Sequence, residues 1–106
     1  MRGDIYELRA TPRAQGHERK GERYAVALRS HSLQQLTTLV AAPTTTGSWE
    51  SSFHPIIELN GRRTRVLVEQ IQAIDAEKRL GRKVGRLSAG EQDEVDRALR
   101  LVLGLF

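Results

Sequence analysis

The sequence predicts a mainly β domain: short antiparallel strands forming a small, strongly bent sheet or barrel, with one long helix packed on it from the C-terminal end. Three observations carry this expectation. Runs of small and apolar residues recur at 24–28 and 37–43, each flanked by polar stretches. Asn60-Gly61 separates two further strand-like runs, and this pair suits a type I′ hairpin turn because both central residues need positive φ. Ser88-Ala89-Gly90-Glu91 is a capping box and opens an apolar stripe at helical spacing.

Taken in chain order, residues 5–8 read as a first short strand, and "TPRAQGHERKGE" (11–22) as a polar loop with glycines at 16 and 21. Residues 24–28 carry small or apolar side chains on both faces. "HSLQQL" (31–36) is a brief reversal, and 37–43 is a second buried-type strand ending at Pro43. "TTTGSWESS" (44–52) returns to loop. In the hairpin that follows, Pro55 has no N–H to give a ladder, which puts the first arm at a sheet edge. Asp75 caps a short helical turn in "DAEKRL", and "KVGRL" (83–87) is a further short strand.

The last helix places Val95, Ala98, Leu99, Val102, Leu103 and Phe106 in one stripe, a core face or a dimer seam. Its acids at 91, 93, 94 and 96 come early and Arg97 and Arg100 late, as the helix dipole favours.

With 106 residues the chain reads as a single domain, 1–106. It has no cysteine, so neither disulfides nor thiolate metal sites are available, which suits a reducing cytoplasm. No apolar run approaches a membrane span. The net charge of +4 lies wholly in residues 1–65, which hold ten Lys/Arg against six Asp/Glu. A one-sided basic excess suits a polyanion, nucleic acid first.

The motifs of cofactor chemistry are missing from the sequence. His17, His31 and His54 are far apart and lack paired acidic spacing, and there is neither a phosphate-binding glycine loop nor a nucleophile elbow. An enzyme built from this chain is expected to work with no cofactor and no metal. What remains is a set of polar residues at strand ends: His17, Glu18 and Arg23; Thr44, Thr45 and Thr46; Gln72 and Asp75. A curled sheet would bring these three segments to one rim. Arg62, Arg63 and Arg65 read as a solvated hairpin tip or as contacts to phosphates. Trp49 and Phe53 read as stacking platforms or as cover for the core.

Four stretches resemble the PemK/MazF family of bacterial toxin ribonucleases. "RGDIYEL" looks like the family's first strand, "AQGHERKGERYAVALRS" like its glycine- and glutamate-containing loop and second strand, "LVAAPTTT" like its strand ending in proline and threonine, and "VLVEQIQAIDAEKRLGRKVGRLS" like its glutamine–isoleucine–aspartate segment. They occur in the family's order and span nearly the whole chain.

The resemblance implies an SH3-like barrel, a homodimer, and the toxin of a type II toxin–antitoxin pair that cuts single-stranded RNA. The ribose 2′-hydroxyl would attack the adjacent phosphorus, leaving 2′,3′-cyclic phosphate and 5′-hydroxyl ends. Carried over by position, the catalytic set is Arg23, Thr44, Glu18, His17 and Asp75, with Arg19, Lys20, Thr45, Phe53 and Gln72 as RNA contacts. Arg23 suits two-point neutralisation of the phosphorane; Thr44 is a neutral donor, Glu18 or Asp75 a base, and His17 an acid or phosphate contact. The implied antitoxin would lay an acidic C-terminal segment over the rim near Arg19, Lys20 and Arg23. The chain departs from the family at Tyr24, where proline is usual, and at Gln72, where some relatives have an arginine that could serve as acid. The competing readings are a non-catalytic toxin resembling the gyrase poison CcdB, and an inactive member that binds RNA or antitoxin.

Overall fold

Residues 2–9, 23–28, 38–47 and 53–105 are described by the computed structural model. They form β1 (Asp4–Leu8), β2 (Tyr24–Ala27), β3 (Thr38–Thr45), β4 (Ile56–Leu59), β5 (Arg62–Val66), a 3₁₀ turn (Val68–Gln70), β6 (Gln72–Asp75), α1 (Ala76–Arg79), β7 (Leu80–Arg86) and α2 (Ala89–Leu103). The strands pair antiparallel in the order β4-β5-β3-β2-β1-β7, with β6 also on β3. The sheet curls into a half-barrel with α2 against it. Leu59 on β4 and Gly85 on β7 show the curl: a Cβ built at Gly85 would stand 3.9 Å from Leu59 Cδ1, although these strands end opposite sides of the path.

The hairpin forms as the sequence predicts. Asn60 and Gly61 have φ of 53° and 76°, and Leu59 pairs with Arg62 across the turn. Pro55 lies just before β4, the edge strand. Other elements depart from expectation. β3 continues through Thr44 and Thr45, because Thr44 and Thr45 pair with Val66 and Arg65. After β5 the chain turns: Leu67 N–H donates to Pro43 O (2.9 Å) and Gln70 N–H to Leu67 O (2.9 Å), after which β6 joins β3. The sequence reading missed both this 3₁₀ turn and β6. β7 begins at Leu80, three residues before the expected strand. The expected loop at 11–22 and reversal at 31–36 lie outside the described residues.

Alternation along the strands builds two apolar clusters. Ile5, Val26, Ala42, Ile57, Val66 and Val68 form the larger one with Val95 and Ala98 of α2. Ala25, Ala27, Leu39, Ala41 and Ile74 form the smaller one on the other face. The helical stripe is core through Val102, whereas Leu103 is half exposed. No described helix is long and apolar enough to cross a membrane.

Both ends of α2 are closed. Ser88 Oγ accepts from Glu91 N (3.1 Å) and Glu91 Oε1 from Ser88 N (2.8 Å), completing the capping box. The second carboxylate oxygen of Glu91 accepts from Glu58 N (2.8 Å), tying the helix start to β4. At the other end Gly104 has φ 71°, and Leu105 N–H returns to Arg100 O (2.8 Å).

The buried carboxylate of Asp4 joins β1 to β7. It accepts from Arg86 Nη1 (2.6 Å) and from the Tyr6 hydroxyl (3.4 Å), with Lys83 Nζ at 3.3 Å. Burial opposes its charge, but cationic donors, Arg86 and Lys83 among them, outweigh burial and hold its pKa below the usual carboxylate value. Because the folded pKa is the lower one, this stabilisation is complete above the unfolded value and is lost as pH falls through the folded one. Asp4→Asn should therefore lose on the order of 1–2 kcal/mol at neutral pH. In urea titrations at stepped pH, the gap between variant and parent should close on acidification.

Candidate active site

Arg23 stands just before β2, and its backbone is fixed by Leu8 N–H, which donates to Arg23 O (2.8 Å). β2 pairs with β3 through Ala25↔Pro43 and Val26↔Ala42. The next step of that register brings Thr44 beside Tyr24, and Thr44 Oγ1 donates to Tyr24 O (3.3 Å). Arg23 and Thr44 thus belong to one strand-end rim, both half-buried.

Tyr24, where the family resemblance expects proline, is held from two sides. Its ring packs on the larger cluster, its carbonyl receives Thr44, and its hydroxyl accepts from Asn60 Nδ2 at 3.5 Å. Contacts across the barrel thereby fix this stretch of backbone, where proline would restrain it through φ.

The remaining candidate residues fall in different places. Thr45 is buried, and its hydroxyl accepts from Gly47 N (3.2 Å), closing a turn at the strand end. Phe53 is half-buried, packed on the larger cluster and edge-on to the His54 ring, so it covers the core. Gln72 is exposed on β6 opposite Ala41, three residues along β3 from Thr44. Asp75 pairs with Thr38, at the far end of β3 and about 20 Å from Thr44 at the usual strand rise. Its carboxylate accepts from Lys78 N (3.1 Å) as the cap of α1. The three segments expected at one rim therefore separate: Thr44 contacts Tyr24, the residue after Arg23, while Asp75 sits at the opposite end of β3. His17, Glu18, Arg19 and Lys20 lie outside the described residues, as does Trp49.

One group escaped the sequence reading. His54 is buried, with Nε2 2.8 Å from Glu69 Oε2, and so links the approach to β4 with the 3₁₀ turn. Fifteen residues separate the partners, and no local pattern announces the pair. Among the described residues no three His, Asp or Glu side chains are grouped as a metal ion would require.

The family model for the PemK-like, MazF-like toxin of type II toxin–antitoxin systems matches residues 1–103. A Mycobacterium tuberculosis protein named as a toxin is 32% identical over 105 residues, covering 99% of this chain and 98% of the relative. The endoribonuclease MazF of Staphylococcus epidermidis is 32% identical over 111 residues, covering 98% and 91%. A MazE–MazF crystal structure from Deinococcus radiodurans superposes with a TM-score of 0.79 at 25% identity, covering 99% of this chain and 96% of that one.

Asp75 offers a direct check of site against scaffold. Asp75→Ala should lower unfolding free energy by about 1 kcal/mol in chemical denaturation, and Asp75→Asn should stay near the parent because asparagine also caps.

Proposed function

The chain belongs to the PemK-like, MazF-like toxin family of type II toxin–antitoxin systems, and from that premise we propose that it is a sequence-selective, metal-independent endoribonuclease cutting single-stranded RNA. The observation that carries the reading is the bond from Thr44 to the Tyr24 carbonyl, which sets the threonine beside the residue that follows Arg23. In-line attack by a ribose 2′-hydroxyl crowds negative charge onto the phosphoryl oxygens, and a guanidinium can meet two of them at once. The Thr44 hydroxyl has a single hydrogen, so it adds a neutral donor by releasing the Tyr24 carbonyl as the phosphate arrives. As a proton donor a guanidinium is unsuited, since it keeps its proton in proteins. Proton transfer thus falls to the loop before β2, where the family pattern places His17 and Glu18. Departure of the 5′-oxygen leaves a 2′,3′-cyclic phosphate and a 5′-hydroxyl.

Asp75 takes no part in this scheme: its carboxylate caps α1 at the far end of β3. Gln72, exposed on β6, can donate to a phosphate or a base edge but supplies no acid. The working form is read as a homodimer of one domain per chain acting in the cytoplasm, silenced by an antitoxin whose acidic segment covers the basic rim. The family description supports the antitoxin.

Arg23→Ala should slow single-turnover cleavage of a mixed-sequence RNA on the order of 10²–10³-fold or more, with circular dichroism unchanged. Thr44→Ala should cost less, and Arg23→Lys should recover little because lysine lacks the planar fork. Cutting should persist in EDTA and leave cyclic phosphate ends; a strict Mg²⁺ requirement or 5′-phosphate products would overturn the chemistry. Parent-like cutting by Arg23→Ala would leave the family assignment intact and place the chemistry elsewhere.

A further inference from the structure

We propose that Tyr24 is a positioning residue for the ribonuclease rim: its side chain fixes the backbone that follows Arg23 and holds Thr44, a task that falls to a proline ring in the family pattern. The proposal rests on the ribonuclease reading above and gives Tyr24 no contact with RNA.

Three elements converge on this stretch. From β1, Leu8 N–H donates to Arg23 O (2.8 Å), and Glu7 pairs with Tyr24 itself. From β3, Thr44 Oγ1 donates to Tyr24 O (3.3 Å). From the β4–β5 hairpin, Asn60 Nδ2 stands 3.5 Å from the Tyr24 hydroxyl, and the half-buried ring packs on the larger apolar cluster. Two consecutive carbonyls, Arg23 O and Tyr24 O, are thus claimed from opposite edges of β2. Hydrogen bonds in the plane of a sheet leave a strand end free to rock about them. A ring that stands across the sheet and packs on the core stops that motion.

The motion matters because of Thr44. Its one hydroxyl hydrogen is committed to Tyr24 O, so the place of that carbonyl decides where the threonine stands when a phosphate arrives. A misplacement of about 1 Å can cost about 10²-fold in rate. Proline suits the same position. Arg23 O turns toward β1, so the Tyr24 N–H turns away from it, and the β2–β3 pairs begin one residue later at Ala25↔Pro43. The restraint of the ring can therefore be exchanged for a fixed φ with the β1–β2 ladder intact.

The test uses the full chain and two readouts: single-turnover cleavage of a mixed-sequence RNA at saturating protein, and affinity for the same RNA carrying 2′-O-methyl groups. Tyr24→Ala should cut about tenfold slower or worse while its affinity stays within about twofold of the parent. Tyr24→Phe keeps the ring and should stay within a few-fold in rate. Tyr24→Pro decides the matter: it gives up the packing of the ring, yet should recover most of the rate that alanine loses. A residue needed only for packing would leave the proline variant as slow as alanine, or unfolded by circular dichroism, and either result overturns the proposal. So does parental cutting by Tyr24→Ala, or a phenylalanine variant as slow as alanine. A loss of RNA affinity that accounts for the slower cleavage makes Tyr24 an RNA contact and overturns it too. If alanine itself prevents folding, the proline variant measured against the parent decides alone. Arg23→Ala, run alongside, keeps the two readings apart: if it cuts as fast as the parent, the rim is not the site, whatever Tyr24 does. A parent that cuts no RNA defeats both.

Discussion

Strand β3 holds three neighbours at once, and the placement of Pro43 makes this possible. On one edge β3 pairs with β2; on the other it serves β6 through residues 38–41 and β5 through residues 44–45. A strand residue points its N–H and C=O to the same edge. Pro43 O accepts from Leu67 N, so the nitrogen that lacks a hydrogen faces the gap between β6 and β5, where the chain detours through its 3₁₀ turn. No ladder bond is lost. The curl that follows from serving two strands along one edge carries Thr44 past the sheet centre to the strand end beside Tyr24.

Local chemistry made much of this legible in the sequence. Asn60-Gly61, Ser88 with Glu91, and Asp75 announced a turn and two caps because each acts within a few residues. The 3₁₀ turn and β6 stayed hidden. "VLVEQIQ" has the composition of one continuing strand, and the interruption comes from the carbonyl of Pro43, far back in the chain. The candidate site divided the same way. Arg23 and Thr44 were expected from the strand-end pattern and the family resemblance, and the β2–β3 register sets Thr44 beside Tyr24, the residue after Arg23, whereas the separation of Asp75 depends on which end of an eight-residue strand it faces.

The opening Arg2-Gly3-Asp4 shows how a short motif can encode three long-range jobs. Arg2 donates to Leu28 O (2.8 Å) and pairs with Asp96 of α2, which Gln92 also contacts (3.0 Å). Gly3, at φ 86°, bonds to Ala27 and Leu87 on either side, and a Cβ there would stand 2.5 Å from Gln92 Oε1. Asp4 completes the seam with β7. One tripeptide thus fastens the first strand to the second, the seventh and the helix.

The contact from Glu91 to Glu58 has a meaning beyond holding a helix in place. Pro55 O and the pairing of Ile57 with Thr64 turn residues 55 and 57 toward β5, so the Glu58 N–H points away from the sheet at its open border. An unclaimed donor there would invite another chain to extend the sheet. A carboxylate from the helix occupies it. The glutamate that completes the capping box of α2 also occupies the outward donor of β4, so fraying of the first helical turn would uncover a surface prone to self-assembly along with the cap.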